Sequence, residues 1–134
     1  MNEILLDTSA YSSLMRKQPH AVAEIQRADA IAVTPVVLGE LYAGFARGRN
    51  EQRNRSLLQE FLDSPRVQCL AITAATAERY AVILKDLFQA GRPIPVNDLW
   101  IAASAMEHGL VLLTCDRHFD RVRQVIVRRC DDAN

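Results

Sequence analysis

The sequence predicts an α/β fold: one domain over residues 1–134, three layers deep, with helices on both faces of a central parallel sheet of four to five strands. Three observations predict it. Short apolar runs without polar alternation recur along the chain, as expected of strands buried on both faces. Between them lie longer segments whose apolar residues fall at helical spacing. The first and last of the buried-type strands each end on an aspartate, at the sheet edge where parallel α/β folds build their sites.

Taken in order, Glu3 to Leu6 is a short apolar strand that stops at Asp7. Thr8 and Ser9 offer hydroxyls to cap a helix from about Ser9 to Arg16. Pro19 suits a helix start, and His20 to Ala28 carries Val22 and Ile25 on one face. Ala30 to Val33 is a second buried-type strand. Thr34-Pro35 marks the next helix with an N-cap hydroxyl and a proline at the first helical position, and the helix runs to about Ala46. Val37, Leu38, Leu41, Tyr42 and Phe45 are its apolar stripe, and Glu40 falls among them. Gly39 and Gly44 each weaken that helix by up to about 1 kcal/mol and permit close backbone packing or close approach by a partner.

Gly48 breaks the chain, and Asn50 caps a helix to about Asp63 with Leu57, Leu58, Phe61 and Leu62 on its apolar face. Val67 to Ile72 is a third strand. Thr73 caps a long helix to about Ala90, with Tyr80, Ile83, Leu84, Leu87 and Phe88 expected to face inward. Gly91 stops it, and Arg92-Pro93-Ile94-Pro95 is a stiff connection. Asn97 is the expected N-cap of the next helix and Asp98 sits in its first turn, where a negative charge suits the helix dipole. Gly109 stops that helix, and Leu110 to Leu113 form the fourth strand, followed by Thr114, Cys115 and Asp116. A turn or short helix to Val122 leads to a last strand at Val125 to Val127, and residues 131–134 are expected to fray.

Composition narrows the function classes. Apolar residues make up 49% of the 134, which excludes a disordered chain. No apolar run approaches the roughly 20 residues that span a bilayer. The start, MNEILLDTS, meets acids at Glu3 and Asp7 and does not read as a signal peptide. Cys69, Cys115 and Cys130 are an odd number with no close pair in sequence, so reduced thiols of a cytoplasmic protein are expected rather than a disulfide framework. Net charge is zero, yet of the 16 basic residues only Lys17 and Lys85 are lysine. Arginine favours bidentate contact with phosphate or carboxylate.

Four acids stand apart from the rest. Asp7 and Asp116 end strands, Asp98 opens the helix before the last buried strand, and Glu40 lies inside an apolar stripe. A carboxylate in such a stripe is costly unless compensated. Each acid alone has a local explanation as cap, turn or ion-pair partner. Four converging carboxylates do not all stay ionised without a cation, so their joint placement points to an oxygen-ligand site for Mg²⁺ or Mn²⁺.

These acids lie in four segments: LLDTSAY at residues 5–11, PVVLGELYAG at 35–44, PVNDLWIAASAM at 95–106 and TCDRHF at 114–119. In this order and spacing the chain resembles the PIN-domain nucleases, and within them the VapC-type toxins of toxin–antitoxin pairs. The resemblance implies a Mg²⁺- or Mn²⁺-dependent endoribonuclease, a homodimer, neutralised by a VapB-type antitoxin. It maps the family's acidic positions onto Asp7, Glu40, Asp98 and Asp116, and its hydroxyl beside the last acid onto Thr114. Thr8 follows the first acid, and Asp120 is a further acid at the rim. It also implies 5′-phosphate and 3′-hydroxyl product ends.

The chemistry expected is attack by a metal-activated water, with the four acids as ligands and Thr8, Asn97 and Thr114 orienting groups around them. Single-stranded or looped RNA is the expected substrate, because its bases are readable without entering a deep groove. Arg47, Arg49, Arg53 and Arg55 are candidate contacts to RNA, to the antitoxin or to a second subunit, with a solvated surface as the plain alternative. Tyr11, Leu14 and Met15 with Leu38, Leu41 and Tyr42 offer an apolar groove for an antitoxin helix, or ordinary core. Trp100 and Cys115 are expected to pack inward, His20 and His108 to be structural or exposed, and His118, beside Asp116, to lie at the surface or else to touch substrate.

A phospho-receiver module is the rival from another class. It wants paired acids after the first strand, an acceptor Asp after the third and a lysine near the end. Thr8 and Ser9 follow Asp7, Ile72-Thr73 supplies no acid, and neither lysine is near the end. An aspartyl phosphatase wants a second Asp two residues after the first, where Ser9 stands. A PIN domain that only binds remains a third reading, opposed by four intact acids.

Overall fold

The structure, a computed structural model, describes residues 1–131. The chain order is β1 (Glu3–Leu6), α1 (Thr8–Met15), α2 (Pro19–Arg27), β2 (Ala30–Val33), α3 (Pro35–Arg47), α4 (Glu51–Leu62), β3 (Val67–Cys69), α5 (Ala74–Ala90), α6 (Val96–His108), β4 (Val111–Thr114), a 3₁₀ helix (Arg117–Arg121) and β5 (Val127–Arg129). The five strands form one sheet in the order β3-β2-β1-β4-β5, with every neighbouring pair parallel. This is the expected fold class, at the upper strand number.

Strand periodicity sorts the core into two layers. Leu5, Ala32 and Leu112 face α3, α4, α5 and α6, packing with Val37, Leu41, Leu58, Ile83, Leu99 and Ala102. Ile4, Leu6, Ile31, Val33 and Leu113 face the other way, against Ala10, Ala21 and Ile25 of α1 and α2. The chain runs outward from β1 through β2 to β3, then returns by α5 and α6 to place β4 on the other side of β1. The topological switch point therefore lies between β1 and β4, and a crevice opens there beyond the strand carboxyl ends. Asp7 follows β1 directly, and Asp116 follows β4 after Cys115.

Several local expectations are corrected. Asp7 itself, and neither Thr8 nor Ser9, caps α1: its side chain accepts from the Ala10 amide at 2.9 Å. The N-cap of α6 is Pro95, whose carbonyl accepts from the Leu99 amide at 3.1 Å. Asn97 lies one residue inside the helix, so its side chain is free to turn outward. β3 stops at Cys69 rather than Ile72, as an edge strand with no neighbour beyond it. β4 starts and ends one residue later than expected, and β5 two residues later. Gly109 does end α6, with φ at +62°, where a side chain would be strained.

On α5 only Ile83 and Leu87 are buried among the expected inward residues. Leu84 is 41% exposed and Phe88 82% exposed. Trp100 packs as expected, stacked on Tyr80 with ring centroids 4.3 Å apart. Of the expected frayed end 131–134, all but Asp131 lies outside the described residues.

The cysteine expectation is overturned. Cys115 and Cys130 are disulfide-bonded, 15 residues apart in sequence, and Cys69 is free and exposed. Thr114 and Arg129 are register partners on β4 and β5, so the next residues along each strand meet side by side. Sequence distance hid a contact that parallel pairing creates. In a chain-entropy account, closing a loop of this length stabilises by about 3 kcal/mol. Cys130→Ala, or reduction of the wild type, should therefore lower the urea midpoint by a corresponding amount, and reductant should have no further effect on the variant.

Candidate active site

The four predicted acids meet at the switch-point crevice, each delivered by a different element. Asp7 is 4% exposed and heavily hydrogen-bonded. Its carboxylate accepts from Thr114 Oγ1 at 2.6 Å, from Ser9 Oγ at 2.8 and 2.9 Å, and from the Ala10 amide at 2.9 Å. Thr114 Oγ1 in turn accepts from the Asp116 amide at 2.9 Å, so one buried hydroxyl ties the two strand-end acids together. Asp116 caps the 3₁₀ helix by accepting from the His118 amide at 2.9 Å.

Glu40 stands on α3 and is gripped from two sides. Thr8 Oγ1 donates to its Oε1 at 2.6 Å, and Asn97 Nδ2 donates to its Oε2 at 3.3 Å. The predicted orienting groups Thr8, Asn97 and Thr114 are thus all in contact with a predicted acid. Asp98 projects from the first turn of α6, and its Oδ2 lies 3.1 Å from His118 Nδ1. The same nitrogen is 3.1 Å from Asp116 Oδ1. Ligand atoms of Asp98, Asp116 and His118 all lie within 4.8 Å of one another.

The electrostatics are those of carboxylates crowded out of water. Burial pushes the Asp7 carboxyl up, against the hydrogen bonds from Thr114, Ala10 and Ser9, and the charge of Asp116 adds to the rise. Burial likewise raises Asp98 to about 6, opposed by the His118 hydrogen bond and reinforced by Asp116 and Asp7. Among the described residues no lysine or arginine makes an ion pair with any of the four acids. The donor set of hard oxygens, short of positive charge, fits a divalent cation.

A cavity of about 470 Å³ opens on this cluster, lined by Glu40, Pro95, Val96, Asn97, Asp98, Asp116 and His118. A second, of about 500 Å³, shares Glu40 and Asn97 with it and extends along α3 past Gly39 and Ala43 to Arg47. Gly39 and Gly44 do not serve close packing: a Cβ at either would meet nothing within 4 Å.

The structure divides the arginine cluster. Of the four, only Arg47 lines the second cavity, which it shares with Glu40. Arg53 lines a separate hollow of about 300 Å³ with Tyr11, Met15, Leu41, Phe45 and Leu57. Arg55 pairs with Glu51 and stacks over the Tyr42 ring, 4.4 Å from its centroid. Arg49 is exposed. Of the predicted apolar groove, Tyr11 and Leu41 are core, whereas Met15 is 40% exposed. Asp120 is exposed and does not line the acidic cavity.

Sequence reasoning misses one residue of the site, Ser9, which reads there only as a cap, and for His118 it offers a surface side chain or a substrate contact without its pairing to Asp98. The signal for both was position two after a strand-end aspartate, where a turn folds the side chain back onto the carboxylate.

Comparison with known proteins gives the family and the fold. The PIN domain family matches residues 4–125. Ribonuclease VapC51 of Mycobacterium tuberculosis is 34% identical over 127 residues, spanning 94% of this chain and 89% of that protein. Ribonuclease VapC4 of the same organism is 33% identical over 95 residues, 71% of this chain and 73% of that protein. The fold superimposes on the crystal structure of VapBC2 from Rickettsia felis bound to a promoter DNA fragment, with a TM-score of 0.83 and 26% identity over 95% of this chain and 98% of that one. With four acids at the switch point of a five-stranded parallel sheet, this chain belongs to the PIN-domain family, among the VapC-type ribonucleases.

Proposed function

We propose that this PIN-domain endoribonuclease, the toxin of a VapBC-type pair, hydrolyses single-stranded or looped RNA with Asp7, Glu40, Asp98 and Asp116 holding Mg²⁺ or Mn²⁺. The carrying observation is that Glu40, Asp98 and Asp116 line one cavity with Asp7 buried behind them and tied to Asp116 through Thr114, and that burial, reinforced by neighbouring carboxylates, holds Asp7 and Asp98 above their ordinary pKa. The cation, when bound, lowers the pKa of a coordinated water and neutralises charge on the phosphate.

The chain's own residues do the positioning. Ser9, Thr114 and the Ala10 amide fix both oxygens of Asp7. Thr8 and Asn97 fix the two oxygens of Glu40. Thr114 couples Asp7 to Asp116 through a single hydroxyl, so the two acids cannot drift independently. Held this way, the acids lose little further freedom when the reaction begins.

Arg47 is the phosphate contact this reading favours, because it shares the α3 face with Glu40 and makes no ion pair among the described residues. Arg47→Gln should reduce the slope of log affinity against log salt for single-stranded RNA by about 1, and Arg49→Gln should leave it nearly unchanged. Equal slopes in wild type and Arg47→Gln would return Arg47 to the solvated surface.

The hollow beside α1 suits a VapB-type antitoxin. It combines exposed Met15 with Arg53, and the buried Tyr11 hydroxyl there has no hydrogen-bond partner among the described residues. A homodimer is the assembly expected from the family, and the exposed Leu84 and Phe88 of α5 are suited to a subunit contact. No described helix is long and apolar enough to cross a membrane, and the reading places the enzyme in the cytoplasm with its RNA.

The test is cleavage of a mixed single-stranded RNA pool by the purified chain, with Mg²⁺, Mn²⁺ or excess EDTA. Cutting with either ion and none with EDTA is expected. Cutting that survives EDTA would overturn the role given to the acids.

A further inference from the structure

We propose that His118 supplies its Nδ1 as a nitrogen ligand to the divalent cation, making the centre a mixed nitrogen–oxygen site. The inference rests on the reading of Asp98 and Asp116 as cation ligands and adds a donor that the four-acid pattern does not contain.

The geometry carries it. His118 Nδ1 lies 3.1 Å from Asp98 Oδ2 and 3.1 Å from Asp116 Oδ1. A six-coordinate ion with bonds of about 2.1 Å holds neighbouring donors about 3 Å apart. The nitrogen therefore stands at the spacing of an adjacent ligand from both oxygens at once. One ring nitrogen carries at most one proton, and two carboxylate oxygens face it at equal distance, so a hydrogen bond here is shared between them and is weaker to each. A cation among the three donors, which lie within 4.8 Å of one another, would give each of them a partner of its own.

The chain holds the imidazole there by design of the turn. The His118 amide donates to Asp116 Oδ1 at 2.9 Å, which folds the 3₁₀ helix back over the acid. Its side chain is 40% exposed, so no packing requirement pins the ring against the acids. Imidazole is a better donor for Mn²⁺ and later first-row ions than for Mg²⁺, which prefers oxygen. His118 should thus bias the centre towards Mn²⁺.

The experiment loads the metal-free full chain with Mn²⁺ and reads pulsed electron paramagnetic resonance for coupling to a directly bound ¹⁴N, beside calorimetric titrations with Mn²⁺ and with Mg²⁺. Wild type should show nitrogen coupling. His118→Ala should abolish the coupling and weaken Mn²⁺ about tenfold or more, with a smaller effect on Mg²⁺, so that the Mn²⁺/Mg²⁺ affinity ratio falls. His118→Asn, which keeps a polar side chain of similar reach, should also lack the nitrogen coupling. Circular dichroism of both variants should match wild type. Mn²⁺ bound without nitrogen coupling in wild type, or coupling unchanged in His118→Ala, would overturn the inference and leave the acids' role standing. Failure of wild type to bind either ion would overturn both.

Discussion

Asp98→Asn should abolish RNA cleavage, by on the order of 10³-fold or more, and at the same time make the metal-free protein more stable. The two effects share one cause. Asp98 is held at about 6 because burial and the charges of Asp116 and Asp7 disfavour its ionised form. An ordinary aspartate titrates at 3.8, so between about pH 4 and 6 the folded state holds a proton that the unfolded state has released. Stability without metal therefore falls as pH rises through that window, and the whole penalty is present at pH 7. Asparagine keeps the shape and removes the penalty, on the order of 1–2 kcal/mol after discounting for solvent, or a few degrees in melting temperature. Calorimetric melts of both proteins at pH 4 and pH 7 read this directly. The wild type should lose stability between the two and the variant should lose less. Saturating Mg²⁺ should reverse the order, because only the intact site gains by mass action. Normal cleavage by Asp98→Asn would remove Asp98 from the site.

Asp7→Asn is the less informative substitution. Asp7 accepts hydrogen bonds on both oxygens, and an asparagine amide would present donors to Thr114 and Ser9. Its loss of activity would mix missing charge with a disturbed turn.

The second large effect is expected at Thr114. Thr114→Val keeps the volume of a fully buried side chain and removes the hydroxyl that donates to Asp7 and accepts from the Asp116 amide. The partly buried Asp116 N–H loses its partner, and Asp7 loses its shortest hydrogen bond. A cost of about 1–3 kcal/mol in unfolding free energy is expected. Cleavage should fall about 10- to 100-fold, the range found when a group that orients a metal ligand is removed. Thr114→Ser should restore most of both, because it returns the hydroxyl at slightly lower volume. Single-turnover rates at saturating metal, beside urea unfolding, separate the two effects. A stable and fully active Thr114→Val protein would show that Asp7 and Asp116 need no common tether.

Much of the site was legible because the chain writes it locally. A buried strand reads as an apolar run, and the residue after it is at the sheet's carboxyl edge whatever the helices do. Asp7 and Asp116 were placed by that rule, and Glu40 by the expense of a carboxylate among apolar neighbours. The partners of these acids were not legible. Thr8 and Ser9 were equally good caps in sequence. Only the three-dimensional turn shows that Asp7 caps α1 and releases Thr8 to Glu40, 32 residues away. Arg47 to Arg55 look like one basic cluster in a line of text. The break at Gly48 sends them to four surroundings.

The amino-acid sequence by itself determined the layered α/β architecture, the order of its elements and the four acids. These follow from short-range hydrophobic period and from turn chemistry. Tertiary structure decided which distant groups share a neighbourhood: Cys115 with Cys130, His118 with Asp98, Thr114 with Asp7. It also decided that Phe88 faces solvent on a helix whose neighbours bury only one narrow stripe. The physical reason is that strand register and helix packing convert separations of tens of residues into contacts of a few ångströms. No local pattern encodes that conversion.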